Sequence, residues 1–78
     1  MVIKILGSGC RNCNILEKNV IDTLAKHNIA ASVEHIQDIE VIIGYGVMST
    51  PALVIDEKVV STGKVLKEKE LLKFFKPE

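Results

Sequence analysis

Ile3-Lys4-Ile5-Leu6-Gly7-Ser8-Gly9-Cys10-Arg11-Asn12-Cys13 passes from strand composition to helical spacing, and both cysteines of the chain stand at the crossing. The apolar run Val2–Leu6 has Lys4 as its only charge and suits an interior strand. Gly7 and Gly9 end it. Beyond them Cys13, Leu16, Val20 and Leu24 recur at helical intervals, which predicts a helix over Arg11 to His27 with these four on its inward face. Cys10 then stands at the helix tip. Unpaired N–H groups and the positive dipole end favour a thiolate there, so Cys10 is the expected nucleophile. Residues three apart on a helix have Cβ atoms about 5–6 Å apart, and a disulfide needs Cα atoms about 4.4–6.8 Å apart. Cys13 is therefore the expected resolving partner.

Working outward, Asn28 is a helix stop and Ala31 to Ile36 supplies a second strand. The helix between the two strands makes a βαβ unit, whose crossover is right-handed. Asp38 caps a short helix over Ile39 to Ile43, interrupted by Gly44 and Gly46. Ala52 to Ile55 and Val59 to Ser61 are rich in β-branched residues and pair as a hairpin around Asp56-Glu57-Lys58. That turn lacks the glycine of the usual two-residue hairpin, which points to a longer loop or a bulge. Lys67 to Phe75 reads as a final helix, with Leu71, Leu72 and Phe75 on one side and Pro77 beyond its end. The expected fold is α/β: βαβ then αββα, a four-stranded mixed sheet with three helices.

All 78 residues read as one domain, residues 1–78, near the size at which a core first holds without cross-links. Ten acidic and ten basic residues cancel, which argues against nucleic acid as a partner. No apolar stretch is long enough to span a bilayer and no secretory signal is visible. A cytoplasmic monomer is expected, without membrane association. In a reducing compartment a CxxC pair is more often catalytic or metal-binding than structural.

With these elements in place the chain resembles the thioredoxin and glutaredoxin superfamily, and within it the smallest single-domain redox-active disulfide proteins. Two motifs carry the likeness: Cys10-Arg11-Asn12-Cys13 at the strand-to-helix turn, and Gly46-Val47-Met48-Ser49-Thr50-Pro51-Ala52-Leu53-Val54-Ile55-Asp56. The latter motif is similar to the segment that presents the family's cis-proline. The resemblance implies a cis Thr50–Pro51 bond packed against the disulfide. It also implies that the backbone of Thr50 pairs with substrate, and that Gly63 keeps the substrate groove open. Substrates would be protein disulfides, a disulfide reductase would return the electrons, and no cofactor is required. The chain also departs from the family. Thioredoxins carry tryptophan before the first cysteine and Gly-Pro between the two, where this chain has Gly9 and Arg11-Asn12. Six residues before the first cysteine they have a buried acid, where this chain has Lys4. The glutaredoxin glycine pair and acid that hold glutathione are replaced by Thr62-Gly63-Lys64-Val65.

Other readings of the same residues stay open. A CxxC also serves as half of a zinc site, but His27 and His35 are the only nitrogen candidates and no motif joins them to the cysteines, so no metal site is expected. A copper(I) carrier could use the two thiolates, although that class ends on a strand and gives Pro51 no role. A non-catalytic redox sensor is a third reading. Arg11, the only arginine, either supports the thiolate and engages substrate or is a solvated first-turn side chain. Met48, in the loop before Pro51, either forms part of an apolar substrate groove or, the favoured reading, fills space, and Tyr45 has no partner visible in sequence.

Overall fold

Ile3, Ile5 and Leu6 are fully buried, which is possible because the strand they form, β1 (Val2–Leu6), has a neighbour on each edge to satisfy its backbone. The computed structural model describes residues 1–8 and 11–75. Gly9, Cys10 and Pro77, each of which bears on the sequence reading, lie outside the described residues. The elements that follow β1 are α1 (Arg11–Lys26), β2 (Ser32–Ile36), α2 (Ile39–Gly44), β3 (Ala52–Ile55), β4 (Lys58–Thr62) and α3 (Glu68–Phe75). The sheet order is β2-β1-β3-β4. β1 and β2 run parallel in the register Ile5↔His35, and β3 lies antiparallel to both β1 and β4. This is the expected α/β architecture, βαβ followed by αββα with a four-stranded mixed sheet and three helices.

Alternation along the strands sends side chains to two separate cores. Ile3, Ile5 and Leu53 meet Leu16, Val20 and Leu24 of α1 and Leu71 and Phe75 of α3 on one face. Leu6, Ala52 and Val54 meet Ile42 and Val47 on the other. Each fully buried aliphatic side chain contributes about 1.5–3 kcal/mol, and the first core is the larger. The helix α1 stops where Asn28 takes a positive φ of 53°. There the Ile29 N–H donates to the Leu24 carbonyl at 2.9 Å and the Asn28 N–H to that of Ala25 at 3.4 Å. This is a Schellman close, and Ile29 packs back on the core that holds Leu24.

The hairpin differs from the sequence expectation. Asp56 and Glu57 form a two-residue turn, both with positive φ (49° and 69°), and Lys58 already belongs to β4 opposite Ile55. The geometry is that of a glycine-type turn without glycine. Contacts to β1 hold it: the Asp56 N–H donates to the Val2 carbonyl at 2.8 Å, and the Val2 N–H donates to Asp56 Oδ1 at 2.9 Å. The irregularity expected at the turn sits instead inside the ladder, where the register shifts between Leu53 and Val54.

Candidate active site

The end of β1, the first turn of α1 and the loop before β3 converge on Gly7. Arg11 and Asn12 open α1 as exposed residues, and Cys13 is its first inward position, fully buried. Its sulfur is disulfide-bonded. A Cβ on Gly7 would fall inside the shell of the Cys13 sulfur, 3.1 Å from Cys13 Cβ and 3.8 Å from Thr50 Cβ. The bare α-carbon of Gly7 is thus what lets the strand end lie against this cysteine. Cys10 belongs to the residues not described.

From the other side the loop of residues 46–51 reaches the same point. Gly46 turns it with a φ of 79°, the Thr50–Pro51 peptide bond is cis, and Pro51 is buried while Thr50 is exposed. The Gly63 N–H donates to the Pro51 carbonyl at 2.8 Å. Gly63 itself has a φ of 68°, and a Cβ there would lie 3.2 Å from Ser49 Cβ. Thr50 is therefore brought beside Gly7 and Cys13, and Gly63 supports the loop from behind. Met48 is 95% exposed. It fills no space in the fold, against expectation, because the loop turns it outward between the buried Val47 and the exposed Ser49.

Lys4, which stands in the register of the thioredoxin acid, points to the α2 face and is fully engaged there. Its ammonium donates to Glu57 Oε1 at 2.6 Å and to the Tyr45 hydroxyl at 2.9 Å. Tyr45 in turn donates to Glu57 Oε2 at 2.9 Å. The carboxylate and then the phenol raise the Lys4 pKa well above the ordinary lysine value. Lys4 and then Tyr45 hold the Glu57 carboxyl below its usual range. Lys4 is thus a pin between β1, the end of α2 and the hairpin turn. The partner of Tyr45 is invisible in sequence because it lies across the sheet.

His35, which the sequence offers only as a nitrogen candidate for zinc, has partners that its spacing does not reveal. Its Nε2 donates to the Gly7 carbonyl at 3.2 Å and its Nδ1 lies 3.0 Å from Glu17 Oε1. Only the parallel register, which sets His35 beside Ile5 near the end of β1, reveals that contact. His27 pairs with Glu68 at 3.1 Å, far along α1 from Cys13. Among the described residues no group of three His, Cys, Asp or Glu is arranged to hold a metal ion. No described helix is long and apolar enough to cross a membrane.

A family model described as a thioredoxin domain matches residues 1–76. The chain is also 34% identical over 73 residues to a thioredoxin of Methanothermobacter thermautotrophicus (strain Delta H), covering 94% of this chain and 95% of that protein. These likenesses support a thiol–disulfide oxidoreductase-like role. The chain belongs to the thioredoxin domain family.

Proposed function

We propose that the protein reduces protein disulfides through Cys10 as nucleophile and Cys13 as resolving thiol. The Cys10 thiolate attacks one sulfur of the substrate disulfide, forming a mixed disulfide, while the other substrate sulfur leaves with the electron pair and takes a proton from water. Cys13 then loses its proton and attacks the Cys10 sulfur. The Cys10–substrate bond breaks, the remaining substrate sulfur leaves and is protonated, and the pair is left oxidised. Two electrons have passed to the substrate, and a disulfide reductase restores them. No cofactor takes part, and the working compartment is the cytoplasm, with the protein acting as a monomer.

The observation that carries this reading is the burial of Cys13 against Gly7 beside the exposed Thr50. A sulfur sealed in this way suits the resolving role, since it is closed to a bulky substrate. Thr50 offers its backbone to the substrate chain, Pro51 holds it in place, and Gly63 leaves room behind the loop. Arg11, exposed on the first turn, meets acidic substrate groups.

The test is differential alkylation of the reduced protein near neutral pH, with trapping by variants. Rapid modification of Cys10 alone, and a mixed disulfide trapped on Cys10 in Cys13→Ser, are expected. Equal rates at both sulfurs, or trapping by Cys10→Ser instead, overturn the assignment. Retention of one copper(I) in millimolar glutathione, with no reduction of protein disulfides, would replace this reading with a soft-metal carrier.

A further inference from the structure

Of the three cations on α1, Lys26 is bonded to Glu68, whereas Arg11 and Lys18 are exposed and take part in no ion pair among the described residues. Arg11 and Lys18 stand two turns apart, about 10 Å along the axis, and so share the face opposite the buried row of Cys13, Leu16, Val20 and Leu24. Ile15 lies between them, one turn from each, and is 40% exposed. The outer face of α1 thus carries a stripe of cation, aliphatic side chain and cation that begins at the residue following Cys10. We propose that this stripe is a docking surface for the substrate protein, selecting disulfides flanked by an apolar side chain between two carboxylates. The inference rests on the thiol–disulfide reading above and extends the contact given there to Arg11 along the helix.

The acids of α1 do not cancel the stripe. Glu17 is turned toward β2, where its Oε1 lies 3.0 Å from His35 Nδ1. Asp22 stands one turn beyond Lys18, in the order lysine then acid that is the weaker one on a helix, and the two form no ion pair. Asp22 therefore marks the end of the stripe. On the other side of the cysteine turn Gly7, Ser49, Thr50 and Gly63 bring no carboxylate.

A carboxylate can meet Arg11 or Lys18 without displacing a resident partner, and an apolar side chain between them takes Ile15 out of water. Burial of Ile15 supplies affinity, while the two cations set partner choice and speed the encounter. An extended chain covers about 10 Å in about three residues. One short segment of the substrate, beside its own cysteine, therefore suffices to fill the stripe. A second copy of this chain does not fit, because a self-complementary contact would set Arg11 and Lys18 against the same two cations.

The experiment measures kcat/KM of the full chain, kept reduced by dithiothreitol, on disulfide-linked peptides. One peptide carries leucine between two glutamates, a second carries leucine between two lysines, and a third carries serine between two glutamates. Each rate is divided by that on hydroxyethyl disulfide, which is too small to reach Ile15, so that changes in cysteine chemistry cancel. The wild type is expected to favour the glutamate–leucine peptide over the lysine peptide by about tenfold at low salt, the sum of two surface charge pairs, and to lose that preference near 0.5 M salt. Lys18→Glu should lower the rate on the glutamate–leucine peptide about tenfold. Lys58→Glu makes the same charge change at the far end of the sheet and should leave that rate within about twofold. Ile15→Ser should slow the leucine peptides about fivefold at any salt concentration and spare the serine peptide. All three substituted positions are exposed, so the fold is retained. Equal rates on the two charged leucine peptides, or equal losses in Lys18→Glu and Lys58→Glu, overturn the docking surface. So does concentration-dependent sedimentation that Ile15→Ser abolishes, which would put a second copy on the stripe. Absence of turnover on every disulfide would count against the proposed function instead. The stripe would then be judged by amide chemical shifts on adding the glutamate–leucine peptide with serine for its cysteine. Changes at Arg11, Ile15 and Lys18 that are absent in Lys18→Glu support it, and no change at these positions overturns it.

Discussion

Gly7 and Cys13 occupy one another's space: the position a side chain on Gly7 would take lies within the van der Waals shell of the Cys13 sulfur. Gly7→Ala must therefore push the strand end away from α1. Overpacking of this kind costs about 1–3 kcal/mol. Urea midpoints of the variant should fall in both oxidised and reduced protein, and turnover should fall with them. An unchanged midpoint would mean that the first turn of α1 yields freely.

The Lys4–Tyr45–Glu57 cluster makes a pH prediction with a definite sign. The Glu57 pKa is lowered from 4.5, so its contribution is present above that value and is lost as pH falls through the folded pKa. The Lys4 pKa is raised from 10.5, so its contribution is present below that value and is lost as pH rises through the folded pKa. Glu57→Gln should lower the urea midpoint between these limits and converge with the wild type as pH falls through the lowered pKa of folded Glu57. The difference should shrink in high salt, because Glu57 is solvent-exposed and screened. A midpoint difference that is the same at pH 3 and pH 7 would refute the account.

Two glycines should respond to alanine with opposite signs. Gly63 has a φ of 68° with Ser49 close behind, so Gly63→Ala should destabilise by about 1–2 kcal/mol and displace the loop that carries Thr50. Gly44 ends α2 with nothing within 4 Å of its would-be Cβ. Gly44→Ala should stabilise by about 0.4–1 kcal/mol. Thermal midpoints of the two variants decide the matter, and changes of the same sign would show that loop strain does not govern either site.

Asn28 offers a fourth test, at the close of α1. Its φ of 53° suits glycine better than any residue with a Cβ. Asn28→Gly should hold or raise the melting temperature, and Asn28→Val should lower it by several degrees, about what 1–2 kcal/mol yields in a domain of this size. A valine variant as stable as the wild type would mean that α1 closes in another way.

Whatever depends on period and composition is legible in the sequence. Cys13, Leu16, Val20 and Leu24 are all buried on α1 as their spacing implies, and Asp38 caps α2 by accepting from the Glu40 N–H at 2.9 Å. Contacts set by strand register are not legible. The tight turn at Asp56 and Glu57 escapes because its positive φ values are held by β1 and by Lys4 rather than by residue type. Tyr45 and His35 escape because each finds its partners across the sheet or across a crossover, at sequence separations no periodicity marks. Met48 departs from its expected space-filling place because an apolar residue in a loop carries no sign of which way the loop turns it.

The helix α2 buries Ile42 alone, leaves Ile39 and Ile43 more than half exposed, and is fastened beyond its end by the Tyr45 phenol. In native-state hydrogen exchange such an element opens well below the free energy of global unfolding, ahead of β1 and α1. Chain continuity hands that opening on to the segment bearing Thr50. The loop of residues 46–51, beside α2 on one face of the sheet, therefore gains a freedom that the core between α1, α3 and the opposite face does not share.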